Sequence, residues 1–446
     1  MIHNLPEEII DRIFSHLCVT ADLARRNEDQ LRLSTLASIA RSSKTLNRIV
    51  EHHLYQTIDC RTHIDTTRLR QFIRALLYNP DAASHVQQIR LQDWDVGSRG
   101  LILIQESDGP EELALGGAAL VTQIRNAMTA SSLPMDLKDD LQNMLSNDPA
   151  CPDAELALLL VLCTNARHLD IVCDVDIPSS FVLRVAEAVH MPSSHADKKR
   201  PLEHLSELHV AHSDTEGHTS IADVHDLLQL PRLRTFRGHM LACDQLWPLP
   251  RTVRSPVKRI FLQYSLLDHL GLESILQACP SLTTLSVEWA GSTVGECCID
   301  MNMFGQTLRT FGANLEVIRL KPEMAACFDE SHDHRTSIGS MASLASLREL
   351  TAPYTTFFGR EQDRPERYPQ LAEILPESLR LLRMVDHTAD DPDILDDQLW
   401  ALMQDERHKQ LKTIRINRGA PFSYYAEDIG WDESESNQFW VVLKRI

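Results

Sequence analysis

The sequence predicts an α/β protein in two parts, a small all-helical N-terminal module followed by a long array of strand-and-helix repeats. Three observations carry this. The first 55 residues hold three amphipathic helical stripes, and from residue 86 onward the spacing apolar-x-x-apolar-x-apolar recurs ten times. With 43% hydrophobic and 24% charged residues over 446 positions, the composition is that of a folded chain able to bury a sizeable core.

The helical module comes first. In LPEEIIDRIFSHL, Pro6 suits a first helical turn, Asn4 and Glu7 have capping-box spacing, and Glu7 and Glu8 complement the helix dipole. Ile9, Ile13 and Leu17 recur every four residues, with Ile10 and Phe14 widening the stripe. A polar stretch from Thr20 to Gln30 separates this helix from a second stripe on Leu33, Leu36 and Ile39. Ser43 can cap a third helix bearing Leu46, Ile49, Val50, His53 and Leu54. Three short helices cannot bury two-sided apolar surface in so few residues, so a partner is expected.

The order Leu5-Pro6-x-Glu8-Ile9, then Ile13 and Leu17, then TLASIARSSKTLNRIVEHHLYQTI resembles the F-box of fungal-type F-box proteins, over about residues 3 to 58. The resemblance implies that these helices dock a Skp-type adaptor, which joins the subunit to a cullin ubiquitin ligase. It implies Leu5, Pro6, Ile9, Ile13, Leu17, Leu33, Leu36 and Ile39 as adaptor contacts or as the core behind them. This copy departs from the family in a longer, more charged stretch between the first two helices, and in Leu54-Tyr55 where Leu-Trp is frequent. The plainer alternative is a helical cap on the array, which repeat proteins need.

The repeats are Val86/Ile89/Leu91, Ala166/Leu169/Ile171, Leu205/Leu208/Val210, Leu233/Phe236/Gly238, Val257/Ile260/Leu262, Leu282/Leu285/Val287, Leu315/Ile318/Leu320, Leu347/Leu350/Ala352, Leu379/Leu382/Met384 and Leu411/Ile414/Ile416. From residue 166 their starts are 39, 28, 24, 25, 33, 32, 32 and 32 apart. Amphipathic runs such as HLGLESILQACPSL and DDQLWALMQDERHKQL precede the strands. A short strand plus a helix at such periods resembles the irregular leucine-rich repeat, although the consensus Asn or Cys after the strand is mostly absent. That resemblance implies a solenoid with a curved parallel sheet inside and helices outside. Ordinary core strands of an α/β domain are the alternative.

The expected boundaries are an F-box over 1–58, a linker helix and first repeat strand over 59–94, an insertion over 95–152, the solenoid over 153–420, and a C-terminal cap or tail over 421–446. The insertion carries GSRG, Gly116-Gly117, acidic DGPEE and DLKDD, and helical spacing at Leu120, Ile124 and Met128. It fits either a flap or a packed helix pair.

A net charge of −19 disfavours nucleic acid and acidic membrane surfaces as partners. MIHNLPEE lacks a basic stretch followed by an apolar core, and the longest apolar run, Leu156 to Cys163, is far below the roughly 20 residues that span a bilayer. Ten cysteines without C-x-x-C spacing fit reduced thiols, with Cys297-Cys298 as repeat-core residues. A cytoplasmic or nuclear protein is expected, and Lys198-Lys199-Arg200 is a nonspecific nuclear-signal candidate.

No nucleophile elbow, dinucleotide fingerprint, P-loop or H-E-x-x-H motif is present, so no enzymatic activity and no cofactor are expected. His332-x-His334 among Asp329, Glu330 and Asp333 reads as a solvated loop, and no metal is expected. The informative column is the position between the last two apolar residues of each repeat, which alternation turns away from the core. It reads Arg90, Asp170, His209, Arg237, Phe261, Ser286, Arg319, Thr351, Arg383 and Arg415, half of them arginine. Such a ladder suits an acidic or phosphorylated client peptide, with Arg237, Arg319, Arg383 and Arg415 as contacts. Ion pairs with Glu207, Glu288 and Glu349 are the competing reading. The aromatic end, Phe422, Tyr424, Tyr425, Trp431, Phe439 and Trp440, is either a closing cap or a docking tail. The expected function is a substrate-recognition subunit of an SCF-type ligase, and the alternative an interaction scaffold without a ligase role.

Overall fold

The computed structural model describes residues 5–17, 26–59, 66–95, 118–147, 151–172, 180–190, 198–212, 218–243, 254–289, 299–322, 337–358, 369–385, 392–417, 429–433 and 440–445. It is a mixed α/β protein whose strands are mostly parallel, and it divides into two compact units.

The first unit spans Met1–Ser213 with Leu230–Leu233. It opens with α1 (Glu7–Ser15), α2 (Arg26–Ser42) and α3 (Lys44–Tyr55). Pro6 occupies the α1 N-cap position with no side-chain capping bond, while Asn4, expected to box with Glu7, lies outside the described residues. Glu7 instead pairs with Arg48 of α3. Ser43 caps α3 as its sequence position requires, its hydroxyl accepting from Leu46 N at 3.1 Å. Ile10, Phe14, Leu36, Leu46, Ile49 and Val50 form one buried cluster, with Leu17, Ile39 and Leu54 packed against it.

Four strands follow, β1 (Thr57–Asp59), β2 (Gln88–Asp95), β3 (His168–Val172) and β4 (Glu207–Ala211), paired in parallel in that order. Parallel neighbours need crossovers, and helices supply them. These are α4 (Thr66–Tyr78) and α5 (Pro80–His85), then α6 (Ala118–Ala130), α7 (Met135–Asn147) and α8 (Pro152–Leu162), then α9 (Phe181–His190). Within 95–152 the described part is helical, with Leu120, Ile124 and Met128 buried on α6. The apolar run that begins at Leu156 lies on α8, buried on every side from Ala154 to Val161. One charge in that wall, Glu155 at 2% exposure, is matched by Arg70 Nε at 2.8 Å. Among the described residues no helix is long and apolar enough to cross a membrane.

The second unit spans Asp214–Gln229 and Arg234–Ile446. Its main sheet runs β6 (Thr235–His239), β8 (Arg259–Gln263), β10 (Thr284–Trp289), β11 (Val317–Pro322), β12 (Glu349–Ala352), β13 (Leu381–Val385) and β14 (Thr413–Asn417), all parallel. A smaller parallel sheet holds β5 (Thr219–Ser220), β7 (Leu241–Cys243) and β9 (Leu266–Leu267). The helices are α10 (His225–Leu228), α11 (His269–Ala278), α12 (Met301–Phe311), α13 (Tyr354–Phe358), α14 (Leu371–Ile374) and α15 (Pro392–Gln404). The main sheet departs from a purely parallel one at its end: β16 (Trp440–Arg445) pairs antiparallel with β14, and β15 (Trp431–Glu433) antiparallel with β16. This return covers the β14 edge, whose backbone groups would otherwise be unpaired.

Within this unit the repeat works as a register device. The first apolar residue sits in a turn whose N–H bonds the carbonyl three residues back, in Leu282 to Cys279, Leu315 to Gly312, Leu347 to Leu344, Leu379 to Pro376 and Leu411 to His408. The residue after it bonds the preceding repeat, as in Thr283 to Lys258, Glu316 to Thr283, Arg348 to Glu316, Arg380 to Arg348 and Lys412 to Arg380. All three apolar positions of every repeat in both units are buried. The glycine of the weakest repeat has a reason: a Cβ on Gly238 would lie 2.6 Å from Leu241 Cδ1.

Candidate functional site

Two surfaces hold the residues that the sequence singles out, one in each unit. On α1 the apolar residues divide between two faces. Ile10 and Phe14 are 3% and 5% exposed in the helical cluster, whereas Leu5, Ile9 and Ile13 remain 40%, 45% and 48% exposed. The inward seam is therefore Ile10-Phe14-Leu17, not the Ile9-Ile13-Leu17 seam that spacing alone suggests. Of the eight adaptor candidates, Leu5, Pro6, Ile9 and Ile13 are exposed, Leu17, Leu33 and Ile39 half-buried, and Leu36 wholly buried.

The strand column exists as a physical ladder in each unit. In the first, Asp59 pairs in register with Arg90, Arg90 with Asp170, and Asp170 with His209. Acidic and basic residue types alternate along it, and His209 Nδ1 lies 2.8 Å from Asp170 Oδ1. Arg90 and Asp170 are consequently buried, contrary to the outward exposure expected of this position. Arg90 donates to Gln88 Oε1 at 2.9 Å, so the buried polar side chains of this stretch have partners within the protein.

In the second unit the register runs Arg237, Phe261, Ser286, Arg319, Thr351, Arg383, Arg415 and then Val442. Arg237 lies over the Phe261 ring at 4.7 Å. Arg319 pairs with Glu349 at 3.4 Å, and Lys321 with Glu288 at 3.6 Å, so neighbouring acids do occupy part of the ladder. Arg383 and Arg415 differ. They are direct cross-strand neighbours of like charge, and the Nε of each is buried without a hydrogen-bond partner. Partial burial, then the charges of Arg415 and Arg319, push Arg383 below the ordinary guanidinium range, with Glu349 opposing. Arg383 also lies 5.0 Å over the ring of Trp440 on β16.

This geometry suits one kind of chemistry. Adjacent guanidinium groups with unused donors repel each other until an anion is shared between them, and an aromatic wall gives the ligand an apolar flank. Trp440 becomes part of the site only because the chain doubles back antiparallel, which no repeat spacing announces. Of the other aromatic residues at that end, Trp431 is buried, and Phe422, Tyr424, Tyr425 and Phe439 lie outside the described residues. So do Cys297-Cys298 and the His332-x-His334 segment. Cys163, Cys243 and Cys279 are buried, and burial pushes the Cys279 thiol up to about 12, which makes it inert. Among the described residues, Asp11, His52 and His53 converge as metal-capable side chains. No family model matches the chain, and a search of curated proteins returns no match.

Proposed function

We propose that the chain is the substrate-recognition subunit of an SCF-type (Skp–cullin–F-box) E3 ubiquitin ligase. Residues 1–58 act as an F-box that docks a Skp-type adaptor, and the strand repeats act as a leucine-rich-repeat-like solenoid that holds a client. The protein is not an enzyme in this reading, because the other ligase subunits supply the transfer chemistry.

The observation that carries the reading is the outward pair Ile9 and Ile13, with exposed Leu5 just before the helix, on a helix that already buries Ile10 and Phe14 inward. A helix apolar on two faces needs two covers, and its own module supplies one. Leu31, 68% exposed on α2, adds to the uncovered apolar surface. The client surface rests on Arg383 and Arg415 with Trp440, with Arg237 and Arg319 already engaged by Phe261 and Glu349.

Copurification with a Skp-type adaptor tests the proposal. Capture of the adaptor by the full chain, lost when Leu5 and Pro6 are changed to Ala, is the expected result. A folded chain that captures no adaptor overturns it in favour of a repeat scaffold with a helical cap.

A further inference from the structure

Away from both surfaces, three side chains from two helices meet at one point. Asp11 of α1 and His52 and His53 of α3 bring a carboxylate oxygen and two imidazole nitrogens within 4.8 Å of one another. Asp11 Oδ1 lies 3.0 Å from His52 Nε2 and 2.9 Å from His53 Nε2. The two rings are 3.8 Å apart at their centroids and tilted by 39°. His53 is buried, while the side chains of His52 and Asp11 are 40% and 46% exposed, which leaves the cluster open to an ion from solvent.

Packing explains only part of this. His53 belongs to the buried seam of α3 with Leu46, Ile49 and Val50, but His52 is the next residue and points about 100° around the helix. Its ring nevertheless turns back to the same Asp11 oxygen. The ring is also hydrogen-bonded to the main chain of Ile49. The Nε2 atoms of both rings thus meet one carboxylate oxygen, a convergence of three metal-ligating atoms from two helices that a single cation can bridge.

We propose that Asp11, His52 and His53 form a binding site for a divalent transition-metal ion of the zinc class, held by one carboxylate oxygen and two Nε2 atoms. Zinc–nitrogen bonds of about 2.0–2.1 Å place tetrahedral ligand atoms about 3.3 Å apart, so the pairs at 2.9 and 3.0 Å need open by only a few tenths of an ångström. The bond from His52 to Ile49 is then the outer hydrogen bond that orients a metal-bound imidazole. Two imidazoles in a three-ligand set favour zinc, copper or nickel over calcium or magnesium, which take oxygen. Water or His85, whose ring stands edge-on 6.0 Å from that of His52, completes the sphere. The ion ties α1 to α3, and the proposal stands whether or not α1 docks an adaptor.

The test uses the full chain, metal-stripped and free of any histidine tag, with Asp11→Asn and His52→Gln as variants. Both replacements are polar and at half-exposed positions, and circular dichroism confirms that each variant is folded. Zn²⁺ alone is titrated by calorimetry and Co²⁺ alone by visible absorption. The expected result is micromolar or tighter zinc binding, weakened at least about tenfold in both variants, with loss of the four-coordinate cobalt band. Binding no tighter than millimolar overturns the proposal, because the occupant is then only a proton. Binding that is unchanged in either variant overturns it too, because the ion then sits elsewhere.

Discussion

Replacing Ile9 and Ile13 together by Ser separates the outward face of α1 from its inward face. The two side chains are 45% and 48% exposed, so about half of each remains to be buried by a partner. Complete burial of an isoleucine stabilises by about 1.5–3 kcal/mol, which leaves about 1 kcal/mol apiece for docking. The double variant should lose about 2 kcal/mol of adaptor affinity, about 30-fold in Kd at about 1.4 kcal/mol per tenfold. Its own melting should fall far less than that of Phe14→Ala, where emptying a site only 5% exposed costs about 3–5 kcal/mol. Calorimetric titration of a purified Skp-type adaptor measures the first quantity, and thermal melts of the same samples measure the second. An adaptor affinity within about threefold of the parent, at unchanged melting temperature, refutes the assignment of this stripe to docking.

Three further perturbations test other links. Gly271→Ala in α11 should destabilise although alanine is the better helix former by about 1 kcal/mol, because the new Cβ would lie 1.8 Å from the Cys243 carbonyl oxygen; a raised melting temperature contradicts this. Hydrogen bonds from the Arg407 side chain hold the Asp405 carboxyl at about 2, below its ordinary 3.8. A depressed folded pKa gives stability that is complete above the unfolded value and lost as pH falls through the folded one. The melting gap between the parent and Asp405→Asn should therefore be constant near neutrality and narrow below about pH 4, and a pH-independent gap argues against the pairing. Arg415→Gln should raise the melting temperature of the free protein slightly by removing a like charge beside Arg383, while weakening capture of an acidic client peptide. A lowered melting temperature with client capture intact would mean that Arg415 is a structural residue.

The strand positions were legible from spacing. A triplet of apolar residues at fixed offsets specifies a turn, a strand and the inward face of that strand, and every described triplet is buried in this way. The direction of the α1 seam was not. With Ile9, Ile10, Ile13, Phe14 and Leu17 all apolar, the stripe is wider than the groove that receives it, and contact with Leu46, Ile49 and Val50 selects its Ile10-Phe14 half. Alternation likewise gave the face of each column residue but not its depth. Thr351 and Asp170 are buried while Arg237 is exposed, because depth depends on the side chains standing on the adjacent strands.

By itself, the sequence determined a helical module followed by parallel strand repeats, and it aligned ten residues in one column. These are local and periodic properties, set by which side chains enter water every second or every fourth residue. Tertiary structure alone decided which members of that column are already partnered. Arg319 finds Glu349 and Arg237 finds Phe261, whereas Arg383 and Arg415 face each other beside Trp440, brought in by an antiparallel strand. It alone also joined Asp11 to His52 and His53. No spacing rule links residues on different helices, and only the packing of α1 against α3 brings one carboxylate to two imidazoles.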